Sequence, residues 1–267
     1  MTSRLGLVLS GGFLRGAFQV GVIEALHAHG LRFAVVAGVS SGAWNAACVA
    51  TAQVHEMREF WLAVAGSPKL RWGNIWRHGT PSNFPEIVRN VPMRRLHFEQ
   101  LDPSAVRLRI GATSLRHRQL RWFESWASRE DFFNTLMASN YLPGLYGPPV
   151  AIGGRYYADG GFVDNVPYEA AVEAGCRRVL VVIPDWRGQI WKRLTSRAPH
   201  ELSDASRKRL IVIHPDSPLP IGRVRSTPDA VLRCIDAGHL AAQRTLAQHS
   251  DLKPASLDPT GSAALDR

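Results

Sequence analysis

The pentapeptide Gly38-Val39-Ser40-Ser41-Gly42 sets a serine between two glycines, after a short apolar run and before a segment of small residues. A serine on such a sharp strand-to-helix turn presents its hydroxyl at the carboxyl end of a sheet. The positive N-terminus of the following helix can there stabilise a developing oxyanion. The spacing favours Ser40 over Ser41 as the nucleophile. A second turn, Ser10-Gly11-Gly12-Phe13-Leu14-Arg15-Gly16, closes the first apolar run. Its backbone N–H groups can cradle an anion, but it lacks the Lys-Ser/Thr ending of a P-loop, and Phe13 interrupts any G-x-G-x-x-G. The third feature, Asp159-Gly160-Gly161, brings a carboxylate. A nucleophilic serine needs a base, and two routes are open: a Ser-Asp dyad, or a Ser-His-Asp triad drawing on His214 or His239.

Positioning these groups is the task of regular elements around them. Leu5–Leu9 reads as a strand, and Phe18, Val22 and Leu26 recur at helical spacing before a stop at Gly30. Phe33–Ala37 and Ala43–Thr51 repeat the pattern as a second strand and helix. Strand, glycine turn and helix occurring twice predict a parallel α/β sheet. Two such turns after successive parallel strands lie side by side, so the first is placed as an oxyanion hole for the serine of the second. From 66 to 103, Pro68, Pro81, Pro85, Pro92 and Pro103 are mixed with Trp72 and Trp76, and no period emerges; this predicts an irregular cap or insertion. Beyond it, Val106–Ala112 and Leu120–Trp122 alternate, and Val150–Tyr157 reads as a hairpin around Gly153-Gly154. A helix over Tyr168–Ala174, strands at Val179–Ile183 and Leu210–Ile213, and a closing helix over Pro228–Gln248 complete the set. The expectation is a single domain over 1–252 with a flexible, polar tail over 253–267.

Composition bounds the partners. With 267 residues, 45% of them hydrophobic and 20% charged, the chain is too apolar to be disordered. Cys48, Cys176 and Cys234 stand far apart, without disulfide or zinc spacing; no metal-ligand set and no cofactor motif is legible. The net charge of +10 suggests an anionic partner, yet no nucleic-acid recognition module accompanies it. Two aromatic–basic clusters suit an acidic lipid surface: Trp72, Ile75 and Trp76 with Arg71 and Arg77, and Trp186 and Trp191 with Arg187, Lys192 and Arg193. The apolar run Leu5–Leu9 is too short for a signal peptide, and the weakly polar stretch Ala34–Ala50 is too interrupted to span a membrane. A cytoplasmic protein with peripheral contact to an anionic membrane surface is expected.

Three segments, LGLVLSGGFLRGAFQVGVIEAL, VVAGVSSGAWNA and NYLPGLYGPPVAIGGRYYADGGFVDNVP, resemble the patatin-like phospholipase family in motif and order, over Leu5 to about Ile183. The resemblance implies a three-layer α/β/α fold with a mostly parallel central sheet. It also implies hydrolysis of lipid acyl esters by a Ser-Asp dyad without a cofactor. Carried over by position, Ser40 is the nucleophile, Asp159 the base, and Gly11, Gly12 and Phe13 the oxyanion-hole residues. Arg15, Gly16, Gly38, Gly42, Gly160 and Gly161 complete the motifs. One position departs from the family loop Gly-Gly-Gly-x-Arg/Lys-Gly: Phe13 stands at the third glycine. Either the loop takes an ordinary backbone conformation there, or the oxyanion hole is altered, with the ring narrowing the acyl site. Other readings of the same residues are a His-dependent α/β-hydrolase esterase, an acyltransferase using the same acyl-serine, and a non-catalytic basic binder of lipid or nucleic acid. Only two strands precede Ser40, fewer than an α/β-hydrolase elbow normally follows.

Overall fold

Alternation of apolar residues along the strands decides the layers. In the computed structural model, which describes residues 4–67, 71–79, 81–144, 149–196, 198–222 and 226–254, the strands are β1 (Leu5–Leu9), β2 (Val35–Val39), β3 (Arg107–Ser114), β4 (Leu120–Phe123), β5 (Val150–Ile152), β6 (Arg155–Asp159), β7 (Arg178–Val182) and β8 (Leu210–Ile213). Residues 255–267 of the expected tail and 145–148 of the third matching segment lie outside the described residues. Leu7, Leu9, Val36, Leu180, Val182, Ile211 and Ile213 face one core, while Val8, Val35, Ala37, Val179 and Val181 face a second, smaller one. Both faces are thus dry, as a parallel sheet requires.

The helices are α1 (Ala17–Ala28), α2 (Ser41–Ala50), α3 (Met57–Gly66), α4 (Asn74–His78), α5 (Phe84–Asn90), α6 (Pro92–Arg95), α7 (Arg129–Ser139), α8 (Glu169–Glu173), α9 (Asp204–Arg207) and α10 (Pro228–Gln248). The larger core lies under α1, α2, α3, α7 and α10; α8 and Ile190 of the β7–β8 connection cover the other face, giving three layers. α1 and α10 cross with backbones almost touching: a Cβ on Gly21 would sit 1.8 Å from the Ile235 carbonyl, and one on Gly238 would sit 2.1 Å from that of Phe18. Residues 66–103 contain α4, α5 and α6, each two turns or shorter and thus too brief to show a period; prolines open α5 and α6, where a missing N–H costs nothing.

The sheet is mixed, with β3-β2-β1-β7-β8 parallel and β4, β5 and β6 antiparallel. Its register brings two distant motifs together. β3 pairs with β2 over Arg107–Gly111 and with β6 over Ala112–Ser114, while β4 overlaps both stretches. β4 must therefore hold the opposite edge, so β2 and β6 meet end to end on one edge of β3. Val39 lies opposite Gly111 and Asp159 opposite Ala112, the very next residue. Ser40 and Asp159, 119 positions apart in sequence, are forced together by this junction.

Candidate active site

Ser40 follows the last residue of β2 and immediately precedes α2, in a backbone conformation (φ 55°, ψ −133°) that non-glycine residues rarely adopt. The flanking glycines serve close approach rather than positive φ. A Cβ on Gly38 would lie 2.4 Å from the Gly42 carbonyl, and one on Gly42 would lie 2.2 Å from the Leu9 carbonyl of the neighbouring strand. The strain therefore sits on the serine itself and is held by its surroundings. Its N–H donates to both the carbonyl (3.1 Å) and the hydroxyl (3.0 Å) of Ser139 at the end of α7, whose own hydroxyl donates to the Gly111 carbonyl (2.7 Å).

Asp159 ends β6 and is 1% exposed. Its N–H donates to the Tyr141 carbonyl (2.9 Å), and its carbonyl accepts from the Thr113 hydroxyl (2.8 Å). One carboxylate oxygen accepts from the Gly161 N–H (2.8 Å), and the Ser40 side chain lies close enough to the same carboxylate to favour its charged form. Burial dominates its titration and pushes the pKa from 3.8 up to about 7, against the opposing pull of Ser40 and of the Gly161 N–H. Gly160 is packed so tightly that a Cβ would meet the Gly111 carbonyl at 2.5 Å.

The glycine-rich loop lies beside the serine, because β1 and β2 are adjacent and parallel, as their order in the sequence predicts. A Cβ on Gly11 would lie 3.0 Å from that of Ser40. The loop is held from both sides. On the helix side, the Gln19 amide donates to the Ser10 carbonyl (2.7 Å), and Asn45 donates to the Gly16 carbonyl (3.0 Å) and to Gln19 (2.8 Å). Trp61 completes that buried chain through its bond to Asn45 (2.9 Å), and its ring bears on Gly16. On the other side, Asn165 accepts the Gly11 N–H on its own carbonyl (3.2 Å) and donates its side-chain amide to the Gly11 carbonyl (3.3 Å).

Two of the expected oxyanion donors thus have partners already. Gly11 is latched to Asn165, and the Gly12 N–H donates to the Ser41 hydroxyl (3.0 Å). Phe13 resolves the choice posed by its sequence position: it keeps a glycine-like φ of 55° and opens a single 3-10 turn, Phe13–Gly16. The loop does not relax to an ordinary conformation. Arg15 on that turn reaches Asp185 (3.8 Å) rather than the serine.

Ser40 and Ser41 open into a largely apolar cleft of about 530 Å³, counting solvent at its mouth, walled by Phe13, Leu14, Trp44, Phe60, Trp61, Val64, Phe84, Ile87 and Leu142. α3 and α5 from the cap region therefore form one side of it. Neither histidine reaches it. His214 follows β8, three strands from β2, or roughly 14 Å at the usual strand spacing. His239 pairs with Glu24 (3.0 Å) between α10 and α1. Ser139 and Asn165, which grip the elbow and the loop, drew no attention in the sequence. Asn165 lies six residues after Asp159 in the same motif segment, but its role is a contact across 154 positions.

Of the two aromatic–basic clusters, Trp72 and Trp76 are 73% and 93% exposed around α4, with Ile75 also exposed. In the second, Trp186 is exposed, Arg187 stacks on Trp191 (4.6 Å), and Lys192 is engaged with Asp164 and Glu169 rather than presented outward. Among the described residues, no helix is long and apolar enough to cross a membrane.

A family model described as patatin-like phospholipase matches residues 7–172, a span that contains Ser40, Asp159 and the glycine-rich loop. Lysophospholipase NTE1 of Meyerozyma guilliermondii is 26% identical over 189 residues, covering 67% of this chain and 12% of that protein. Lysophospholipase nte1 of Aspergillus terreus is 30% identical over 171 residues, covering 61% of this chain and 10% of that protein. The chain spans about a tenth of the length of the curated relatives it matches. The crystal structure of VipD from Legionella pneumophila shares the fold, with a TM-score of 0.54 at 15% identity over 92% of this chain and 67% of that one.

Proposed function

Because this chain belongs to the patatin-like phospholipase family, we propose that it is a serine acyl-ester hydrolase of phospholipase A or lysophospholipase type, with Ser40 as nucleophile and Asp159 as its base. The observation that carries this reading is the juxtaposition of Ser40, at the floor of an apolar cleft, with the buried Asp159 carboxylate behind it. The cleft suits an acyl chain, and the relatives named lysophospholipases point to the ester class.

Ser40 Oγ attacks the ester carbonyl carbon while its proton passes to Asp159. The tetrahedral intermediate collapses, the C–O bond to the alcohol breaks, and the alkoxide takes the proton from Asp159. Water then attacks acyl-Ser40, Asp159 accepts its proton and returns it to Ser40, and the fatty acid leaves. A carboxylate with a pKa of about 7 is a far stronger base than an ordinary one, which lets it act without histidine. For the oxyanion, the Gly12 N–H becomes available when the Ser41 hydroxyl rotates away. The Ser41 N–H opens α2 and so has no acceptor within its helix. Gly11 acts in this account as the latch that sets the loop against Ser40.

Turnover of a long-chain lysophospholipid tests the reading. Ser40→Ala and Asp159→Asn should each lower kcat about a thousandfold or more. An Asp159→Asn enzyme keeping a tenth of wild-type kcat would overturn the assignment of the base. Exposed Trp72, Ile75 and Trp76 further support peripheral seating of the cleft on a membrane surface, as Trp rings do at headgroup depth.

A further inference from the structure

On the far side of the glycine-rich loop from the acyl cleft lies a second, solvent-open cavity of about 540 Å³ counting the solvent at its mouth, with Phe13 forming part of the wall of both. Its character is opposite. Arg15, Arg187 and Arg193 line it, and among the described residues Asp185 is the only carboxylate that does. That carboxylate is already held by the Arg187 guanidinium through two bonds of 2.9 Å, leaving the lining with a surplus of positive charge. Gln189 and Trp191 add neutral donors to the same wall. The Trp191 indole N–H and the Nε of Arg15 are both buried and have no hydrogen-bond partner among the described residues. The third orphan on this lining, Asn165 Oδ1, is an acceptor packed against Gly11 and Gly161; buried donors are normally satisfied, and the two orphan donors mark the place of an acceptor.

We infer that this cavity is a subsite for a phosphate group, held by Arg193 and the Trp191 indole N–H with Arg15 and Gln189 closing around it. A phosphate presents several acceptor oxygens and negative charge, which matches this set of donors where a neutral glycerol would leave the arginines without a counter-charge. The connection that carries Arg187–Arg193 is rigidly set. The Asn165 N–H donates to the Lys192 carbonyl (3.0 Å), and Lys192 is fixed by Asp164 (3.2 Å). Asn165 therefore ties the basic wall and the glycine loop to one another. A substrate whose acyl chain enters the apolar cleft and whose ester lies at Ser40 would place a neighbouring phosphate across the loop. This assignment of an anionic headgroup rests on the hydrolase reading, but the cavity's affinity for phosphate does not.

Two arms test it on the full-length protein, each with Arg193→Gln and Trp191→Phe beside wild type. In the first, inorganic phosphate and glycerol 3-phosphate are titrated by isothermal calorimetry. Wild type should bind glycerol 3-phosphate, and either variant should weaken that binding about tenfold, the scale of one charge-assisted hydrogen bond. Binding unchanged in both variants, or none in wild type, would overturn the site. In the second, kcat/KM is compared for a lysophospholipid and for a neutral monoacylglycerol of the same chain. The ratio of the charged to the neutral ester should fall about tenfold in the variants, and glycerol 3-phosphate should compete with the charged ester. Phosphate binding that depends on Arg193 with no change in that ratio would identify a free-phosphate site and overturn the headgroup role. A wild-type protein that hydrolyses neither ester would count against the hydrolase reading alone, since the first arm still decides the phosphate site.

Discussion

Burying the Asp159 carboxyl group beside Ser40, the proposed nucleophile, has two consequences of opposite sign. As a base, Asp159 works when ionised, so kcat/KM should rise with pH through a midpoint of about 7 and stay level above it. A pH–rate profile checks this, and a midpoint near 4 would mean that Asp159 is not the base. For stability, the ordinary carboxyl ionises near 3.8 and the buried one near 7, so across that window the folded state holds the proton that the unfolded chain has lost. Stability contributed by the protonated form is therefore full below pH 3.8 and lost as pH rises through about 7. Asp159→Asn, inactive in our account, should melt at or above the wild-type temperature at pH 8, with the difference vanishing near pH 4. Thermal scans at both pH values decide it. Phe13 permits a second test at the same scale. At φ 55° a Cβ is penalised, so Phe13→Gly should be more stable than Phe13→Ala by about 1 kcal/mol, reversing the usual order of the two residues. Denaturant midpoints of the two variants give the answer directly.

At the scale of elements, the site exists because strand ends and helix ends abut. β2 and β6 share one edge of β3, α7 delivers Ser139 to the elbow, and the crossing of α1 with α10 backs the helix that leaves the glycine loop. That crossing leaves no room: Gly238→Ala should cost about 2 kcal/mol or more, seen as a lower denaturation midpoint at an unchanged slope. α10 is legible from sequence as Pro228–Gln248, because Thr227 caps it (3.2 Å), Pro228 opens it and its apolar face persists over many turns. α7 is capped by Ser128 (3.1 Å) with acids in its first turn, but nothing in that stretch of sequence marks Ser139 as a support for Ser40. Ser40, Asp159 and both glycine turns are visible in the sequence because each belongs to a local motif. Asn165 and Ser139 are not, because their work is done on partners 154 and 99 positions away. Short helices within 66–103 never complete enough turns to declare a period, so the apolar wall given by Phe84 and Ile87 could not be foreseen.

Over the whole molecule, charge and apolar exposure support the membrane seating proposed for the cleft. A net charge of +10 favours anionic partners, and Trp72, just before α4, and Trp76 within it are exposed far beyond what packing requires. Because both rings are exposed, Trp72→Ser with Trp76→Ser should fold normally and hydrolyse a short water-soluble ester at the wild-type rate. Binding to vesicles rich in phosphatidylserine should fall about tenfold or more, as apolar insertion is lost. Co-sedimentation measures it; equal binding by the double variant would overturn the proposal that these rings seat the cleft on a membrane. Raising salt should weaken wild-type binding to the same vesicles, since surface charge is screened over about 8 Å at physiological ionic strength.

Covalent capture of the nucleophile tests the central claim most directly. A fluorophosphonate probe, reacted with purified protein and mapped by peptide mass spectrometry, should modify Ser40 in the wild type. Labelling should be lost in Ser40→Ala and strongly reduced in Asp159→Asn. A modified residue other than Ser40, or full labelling without the Asp159 carboxylate, would contradict the dyad.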